Sequence, residues 1–337
     1  MNQSKKRRYA PPKAAALLHT LRGLGYSTYA ALADIIDNSY SASADNVWID
    51  FHWAADDSYI TIRDDGTGMT DAELESALTL GGKSPLDTRA PNDLGRFSMG
   101  LKSASFSQAK RLTVISRTAK SSSFSILGWD LDKLERESDA DWFLEEGLSS
   151  ESADKVSSIM DEMLCGTLVL WEDLDRIVTP KFDVSHLGNL LDEIRYALGM
   201  IFQRVILETS NNFKIWINSK AVEPWDPFMS WHPSKPWTSP EAKVSTSSGT
   251  VTVQCHVLPH KDRLKESEFE NASGPNGWAA QQGFYLYRNK RLILAGSWLG
   301  LGGTKAWAKE ESMRLARIRI DITNAADPPW QDSCRLP

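Results

Sequence analysis

The chain is poor in cysteine. Cys165, Cys255 and Cys334 are far apart and odd in number among 337 residues. They make neither a disulfide framework nor a zinc site, and a reducing, cytoplasmic compartment is the simple inference. No apolar run approaches membrane-spanning length. Basic charge gives no surplus: the formal net charge is −6, so no global positive field favours nucleic acid. Acid is absent from the first 33 residues, where Lys5, Lys6, Arg7 and Arg8 stand together. A transit peptide would share that bias, but an apolar helical pattern begins soon afterwards and leads straight into the first motif. Residues 1–15 therefore read as a basic N-terminal arm. It is either a solvated tail or a strap that crosses to a partner subunit or touches phosphate.

What is present is ordinary for a globular protein, with 41% hydrophobic and 24% charged residues and no internal repeat. The length fits two well-cored domains, here divided as 1–222 and 223–337. Apolar spacing predicts a helix over 28–44. Alternating β-branched and aromatic residues predict strands at 47–53 and 59–63, with 54–58 as their hairpin connection. Thr70 and Glu73 form a capping-box pattern that opens a helix through Leu80. Residues 81–99 are rich in glycine, proline and turn formers and read as a long functional loop. A helix is expected at 100–108, strands at 111–117, 123–128 and 167–171, a long amphipathic helix at 186–203 and a strand at 213–218. The Pro/Trp-rich stretch 224–240 reads as a boundary or extended linker. Strands near 250–258, 283–288, 292–295 and 317–323 complete the second unit, with an irregular end at 327–332. The thirteen tryptophans are scattered, and packing is their default role.

Four short motifs carry chemistry. Asp34 and Asn38 lie at i and i+4, which on a helix share a face. A carboxylate there can orient and deprotonate a water, and a carboxamide oxygen suits Mg²⁺. Asp37, on a neighbouring face, could help. Asp64-Asp-Gly-Thr-Gly68 ends a predicted strand. Its glycines allow a tight turn and close backbone approach to a flat ligand, and Asp64 can accept a hydrogen bond from an exocyclic amine. A hairpin turn is the plain alternative, weakened by the helix that follows. Gly95-Arg-Phe-Ser-Met-Gly100-Leu-Lys102 superficially suits a P-loop, but Leu101 separates Gly100 from Lys102 and no strand precedes it. What remains is a glycine-rich entry to a helix, able to hold phosphate through its amides and Lys102, or a plain loop before a core helix. Gly166-Thr167 opens a strand, and the threonine hydroxyl could close a water network around Asp64.

Taken together and in this order, the motifs resemble the GHKL ATPases: gyrase B, the ninety-kilodalton heat-shock chaperones, sensor histidine kinases and MutL. The likeness is greatest to MutL and the MORC ATPases, including their prokaryotic relatives, and runs over roughly residues 15–220. It implies an α+β fold of Bergerat type, an α/β sandwich with a mixed β-sheet and helices on one face. It implies ATP and Mg²⁺ as cofactors, with Asn38 on the metal, Asp64 reading adenine, and Gly66, Gly68 and Met69 lining the base. Gly95, Ser98, Met99, Gly100, Leu101 and Lys102 would hold phosphate, Thr167 would support Asp64, and 81–99 would be the lid. Asp34 stands where the family usually has a glutamate general base. The segment Gly283–Ile293 resembles a strand pair of a βαβ transducer domain. Lys290 is the candidate transducer lysine for the γ-phosphate, with Lys305 as the other candidate and Leu294 at the position where MORC proteins usually carry it.

The implied activity is Mg²⁺-dependent ATP hydrolysis, slow with aspartate as base, that drives lid closure and nucleotide-dependent homodimerisation. Relatives act in mismatch repair, chromatin compaction and defence, so a DNA or protein partner is expected, and no membrane. The alternative is an ATP-binding interaction module with negligible hydrolysis. A sensor kinase, a topoisomerase and a chaperone are disfavoured, for want of a histidine-bearing dimerisation helix, a cleavage domain and a client-binding domain. The chain stops near the expected end of a transducer, which fits a piece of a longer protein.

Overall fold

The computed structural model describes residues 14–23, 25–81, 100–136, 142–208, 212–246, 249–302 and 307–322. They fall into two compact units. The first takes in the described residues up to Leu190 together with Ile215–Lys220, and the second Leu191–Lys214 and those from Ala221 on.

The chain begins with α1 (Ala14–Arg22), α2 (Thr28–Ser41), β1 (Asn46–His52), β2 (Tyr59–Asp64), α3 (Asp71–Leu78) and α4 (Gly100–Phe106). It continues through β3 (Arg111–Arg117), β4 (Ser125–Asp130), α5 (Leu131–Arg136), β5 (Glu145–Glu146), α6 (Ser150–Glu162) and β6 (Gly166–Glu172). Then come α7 (Val184–Ile201), α8 (Gln203–Ile206), β7 (Lys214–Ile217) and β8 (Lys220–Ala221). The strands form one eight-stranded sheet in the order β5-β4-β3-β6-β2-β1-β7-β8. Each pairing from β5 to β1 is antiparallel. This is the expected α+β arrangement.

Register fixes which side chains share a face, because neighbours along a strand point to opposite sides. Ile60 pairs with Trp171 and Leu112 with Trp171, so these residues look the same way, together with Ile62, Val114 and Val169. On that face the Trp171 indole donates to Ser105 Oγ of α4 at 2.8 Å, and Trp129 donates to the Leu78 carbonyl of α3 at 3.2 Å. Helices α3 and α4 therefore cover it, and α2 packs on α4. The opposite face presents Ile115, Leu168 and Leu170 to Val156 and Met163 at and just beyond α6. Helix α6, which the sequence reading did not anticipate, is an addition on the side away from the four motifs.

Local signals explain the elements that carry those motifs. Ser27 caps α2. Thr70 and Glu73 form the capping box of α3 in full, a device that contributes about 1 kcal/mol. The β1–β2 connection is a short 3-10 turn at Ala55–Asp57. Arg22 of α1 is buried, with one guanidinium nitrogen donating to both Asp175 carboxylate oxygens at 2.5 Å and another to the Ala109 carbonyl at 2.8 Å.

The second unit contains β9 (Trp237–Thr238), β10 (Ala242–Thr246), β11 (Gly249–Val257), α9 (Glu266–Ser273), α10 (Gly277–Ala280), β12 (Gly283–Arg288), β13 (Arg291–Ser297) and β14 (Ala316–Ile322). Its sheet runs β10-β11-β14-β12-β13, with β9 beside β11. The β12–β14 pairing is parallel and its neighbours are antiparallel. One face packs Val251, Leu286, Ile320 and Ile322, the other Tyr285, Tyr287 and Leu292 against Phe228. The Pro/Trp-rich stretch thus contributes Phe228, and Met229 beside it, to buried clusters.

Candidate functional site

The site is built around the end of β2. Asp64 closes that strand on the helix-covered face and is 7% exposed. Its Oδ1 accepts the backbone N–H of Gly66 at 3.0 Å and of Thr167 at 3.1 Å. Its Oδ2 accepts the Ser39 hydroxyl of α2 at 2.9 Å. Burial pushes the carboxyl above its ordinary 3.8, and the three donors pull against that shift. A carboxylate offers about four acceptor positions. Three are engaged, and the fourth is on Oδ2.

Thr167 pairs with Ser116 across β6 and β3, so both side chains share the face of Asp64. One proton assignment satisfies the cluster. Ser116 donates to the Gly166 carbonyl at 3.1 Å and accepts from the Thr167 hydroxyl at 2.9 Å and from the Met69 amide at 2.8 Å. The glycines here serve the chain itself. Gly68 has φ +67, and a Cβ on it would lie 2.0 Å from the Arg117 carbonyl oxygen. Gly166 has φ +116, and a Cβ there would lie 2.1 Å from the Asp64 carbonyl oxygen. At Gly68 the close approach, expected toward a flat ligand, is one of backbone to backbone, and Gly166 makes another. Asp65, the second acid of the motif, turns away and binds the amides of Asp45 and Asn46, each at 2.8 Å, which fixes the start of β1.

Helix α2 supplies the other side. Asp34 is half-buried and Asn38 exposed, one turn apart. Gly100, the first residue of α4, stands against Asp34. A Cβ on Gly100 would be 3.8 Å from the Asp34 Cβ and 3.9 Å from its Oδ2. Leu101 follows, half-buried. Lys102 is buried at 1% exposure, and its ammonium donates to the carbonyls of Ala77 at 2.7 Å and Thr79 at 2.8 Å, at the end of α3. All four motifs thus meet in the first unit: Ser39 joins the first to Asp64, Thr167 joins the fourth to Asp64, and Gly100 joins the third to Asp34. Gly95, Ser98 and Met99, the lid beyond Gly81, the arm up to residue 13 and Lys305 lie outside the described residues.

Residues 26–167 match the model of the histidine kinase-, DNA gyrase B- and HSP90-like ATPases. This stretch of the chain is similar to the GHKL superfamily. Over 87 residues it is 32% identical to ATPase morc-1 of Caenorhabditis elegans, covering 26% of this chain and 10% of that protein. Over 112 residues it is 29% identical to MORC family CW-type zinc finger protein 3 of Mus musculus, covering 33% of this chain and 12% of that protein. The matches span about a tenth of either relative. The matched region is thus similar to an ATP-binding ATPase module.

The donors present suit Mg²⁺ in such a module. Magnesium takes one or two protein ligands and completes its shell with water and phosphate. Among the described residues no group of three or more His, Cys, Asp or Glu gathers as a dedicated metal cage. An exposed carboxamide at Asn38 one turn from the Asp34 carboxylate is the sparse oxygen set that this ion accepts.

Sequence reasoning missed Ser39 and Ser116. Ser39 sits beside Asn38 within the first motif, and only its place on α2 opposite the end of β2 gives it a role. Ser116 has no pattern signal at all, since β-sheet register alone brings it beside Thr167. Lys290 belongs to the second unit. With Asn289 it forms the β12–β13 turn, both residues at positive φ (47 and 72), and its ammonium is paired with Glu208. No helix among the described residues is long and apolar enough to cross a membrane.

Proposed function

We propose that this chain is a Mg²⁺-dependent ATPase that turns over slowly and whose nucleotide state drives lid closure over 81–99 and homodimerisation. The observation that supports it best is the convergence on Asp64 and Asp34 of motifs drawn from four separate stretches. In this reading the spare Oδ2 position of Asp64 accepts the N6 amine of adenine. Gly66, Gly68 and Met69 line the base, and the Ser116–Thr167 pair holds the amides around it. Asn38 would hold the metal, which would supply positive charge to neutralise the phosphates. The segment of Gly95, Ser98, Met99, Gly100, Leu101 and Lys102 holds the phosphates. For Lys102 this requires exchanging the carbonyls of Ala77 and Thr79 for phosphate oxygen.

Asp34 acts as general base, orienting a water for in-line attack and taking its proton. Aspartate reaches one methylene less than glutamate. A misplacement near 1 Å costs about 100-fold, which supports slow turnover. The second unit is assigned as transducer-like, within a division of 1–222 and 223–337, and Lys290 as its lysine for the γ-phosphate, on the resemblance of 283–293. A DNA or protein partner, in repair, chromatin or defence, also rests on resemblance, and a cytoplasmic location on the few scattered cysteines.

The short reach of Asp34 also favours a second reading, an ATP-binding interaction module with negligible hydrolysis. Phosphate release by wild type and Asp34→Ala, with sedimentation velocity in a non-hydrolysable ATP analogue and Mg²⁺, separates the two. Turnover lost in the variant and a dimer formed with the analogue support the ATPase switch. Dimer without any phosphate release supports the second reading. Absence of nucleotide binding defeats both.

A further inference from the structure

A cavity of about 570 Å³ opens in the first unit among α1, α3, β4 and the segment before β5. Among the described residues, none that lines it belongs to the four motifs. One wall is aromatic, formed by Trp129, Trp142 and Phe143. Trp129 and Trp142 meet edge to face, with centroids 6.1 Å apart and planes at 86°. Trp129 is nearly fully buried, whereas Trp142 is 37% exposed at the mouth. Leu17 and Leu127 extend the apolar surface.

The opposite wall is α3. Asp71, Glu75 and Thr79 recur at every fourth position and so line one face of the helix and its end, while Leu74 and Leu78 are buried. Glu146 adds a third carboxylate. Among the described residues, no lysine, arginine or histidine lines the cavity. Other acids of this unit are paired: Glu145 with Lys133, Asp132 with Lys110 and Glu172 with Lys155. Among the described residues, none of Asp71, Glu75 and Glu146 takes part in an ion pair. Low-dielectric walls of one charge sign focus the potential into a cleft. Indole faces are themselves electronegative and attract cations.

We propose that this cavity is a binding site for a basic peptide segment, taking an arginine with its apolar neighbours. A planar guanidinium can lie on an indole face and still present its fork of donors to a carboxylate, which an ammonium cannot do equally well. The volume lies in the range of cavities that enclose small ligands, about 300–1,000 Å³. The flanking leucines accept aliphatic side chains on either side of the charge. Among the described residues no motif residue lines the site, so its test does not depend on the nucleotide reading.

Calorimetric titration of the full chain with two capped pentapeptides, alternating leucine with arginine or leucine with glutamate, tests the proposal. Wild type is expected to bind the arginine peptide at least tenfold more tightly than the glutamate peptide. The double variant Glu75→Gln/Glu146→Gln and the single variant Trp142→Ala are each expected to lose tenfold or more in affinity, with unchanged circular dichroism and melting midpoint. The double variant Asp56→Asn/Asp57→Asn removes the same charge from an exposed turn outside the cavity and is expected to bind as wild type. Equal affinity for the two peptides, no binding of the arginine peptide, or equal losses in the Asp56/Asp57 control would overturn it. So would full affinity in folded cavity variants.

Discussion

The Ser39 hydroxyl of α2 donates to the Asp64 carboxylate of β2 across 2.9 Å, and the residue before Ser39 is Asn38. One bond therefore sets the distance between the proposed adenine reader and the proposed metal ligand. A hydrogen bond to a charged group is worth about 1.5–3 kcal/mol. Ser39→Ala is expected to weaken ATP binding by about tenfold while the protein stays folded. Asp64→Asn, which replaces an acceptor with a donor facing N–H groups, is expected to weaken it by about 100-fold or more. Titration calorimetry against ATP analogues reads both, and unchanged affinity in Asp64→Asn contradicts the assignment.

The pH dependence has a definite sign. Burial holds the Asp64 carboxyl above 3.8 in the folded chain, against the donors Gly66, Ser39 and Thr167. The unfolded chain therefore gives up this proton first as pH rises. Asp64 lowers stability progressively between 3.8 and its raised value, and by a constant amount above it. Adenine binding follows the opposite course. An amine donor needs the ionised acceptor, so affinity is expected to be full above the raised value and to fall as pH drops through it. The drop should begin at a higher pH than an ordinary aspartate would give and be absent in Asp64→Asn. A flat profile in wild type contradicts it.

Asp34 and Gly100 test the catalytic half. Asp34→Ala is expected to abolish turnover, by about 100-fold or more, with nucleotide affinity within a few-fold of wild type. Asp34→Glu restores the reach that the family usually has and is expected to raise kcat. Single-turnover phosphate release measures both. A Glu variant slower than wild type would show that the pocket, with Gly100 against Asp34, has adapted to the shorter acid.

Gly68 and Gly166 are expected to tolerate no side chain. Alanine at Gly68 would bring its Cβ to 2.0 Å from the Arg117 carbonyl oxygen, at a positive φ that alanine avoids. The expected loss is about 3 kcal/mol or more, read as a lowered denaturant midpoint without nucleotide. A stable Gly68→Ala protein that only failed to bind ATP would point instead to a ligand-facing role.

Lys102 separates anchoring from phosphate binding. Lys102→Met keeps the buried aliphatic stem but leaves the Ala77 and Thr79 carbonyls without their ammonium donor. A loss of about 1–3 kcal/mol of stability follows. If the ammonium also serves phosphate, the rise in melting temperature given by ATP shrinks relative to wild type. An undiminished rise limits Lys102 to anchoring α3.

Much of this was legible in the residues. Strand β3 and strand β12 fall where alternation put them, because both carry β-branched or aromatic runs bounded by turns. The Thr70–Glu73 box was readable since capping is local, spanning three residues. The motif residues were legible as types, yet what their partners are was not. Ser116 matters because β3 lies beside β6, a fact of sheet order that no window along the chain contains. Gly68 was singled out for freedom in a tight turn and has φ +67, whereas Gly166, at φ +116, was read only as the start of a strand. The surface that crowds them is carbonyl backbone from residues far off in sequence. Helix α6 was missed because its apolar positions, Val156 and Ile159 among them, are sparse in a polar segment.

The end of α3 is fastened at three consecutive carbonyls, those of Ala77 and Thr79 by Lys102 and that of Leu78 by the Trp129 indole. An anion strong enough to draw the ammonium away would leave the Ala77 and Thr79 carbonyls without that donor. Thr79 and Trp129 both border the aromatic hollow. The Lys102 anchor and the aromatic hollow therefore share the end of α3.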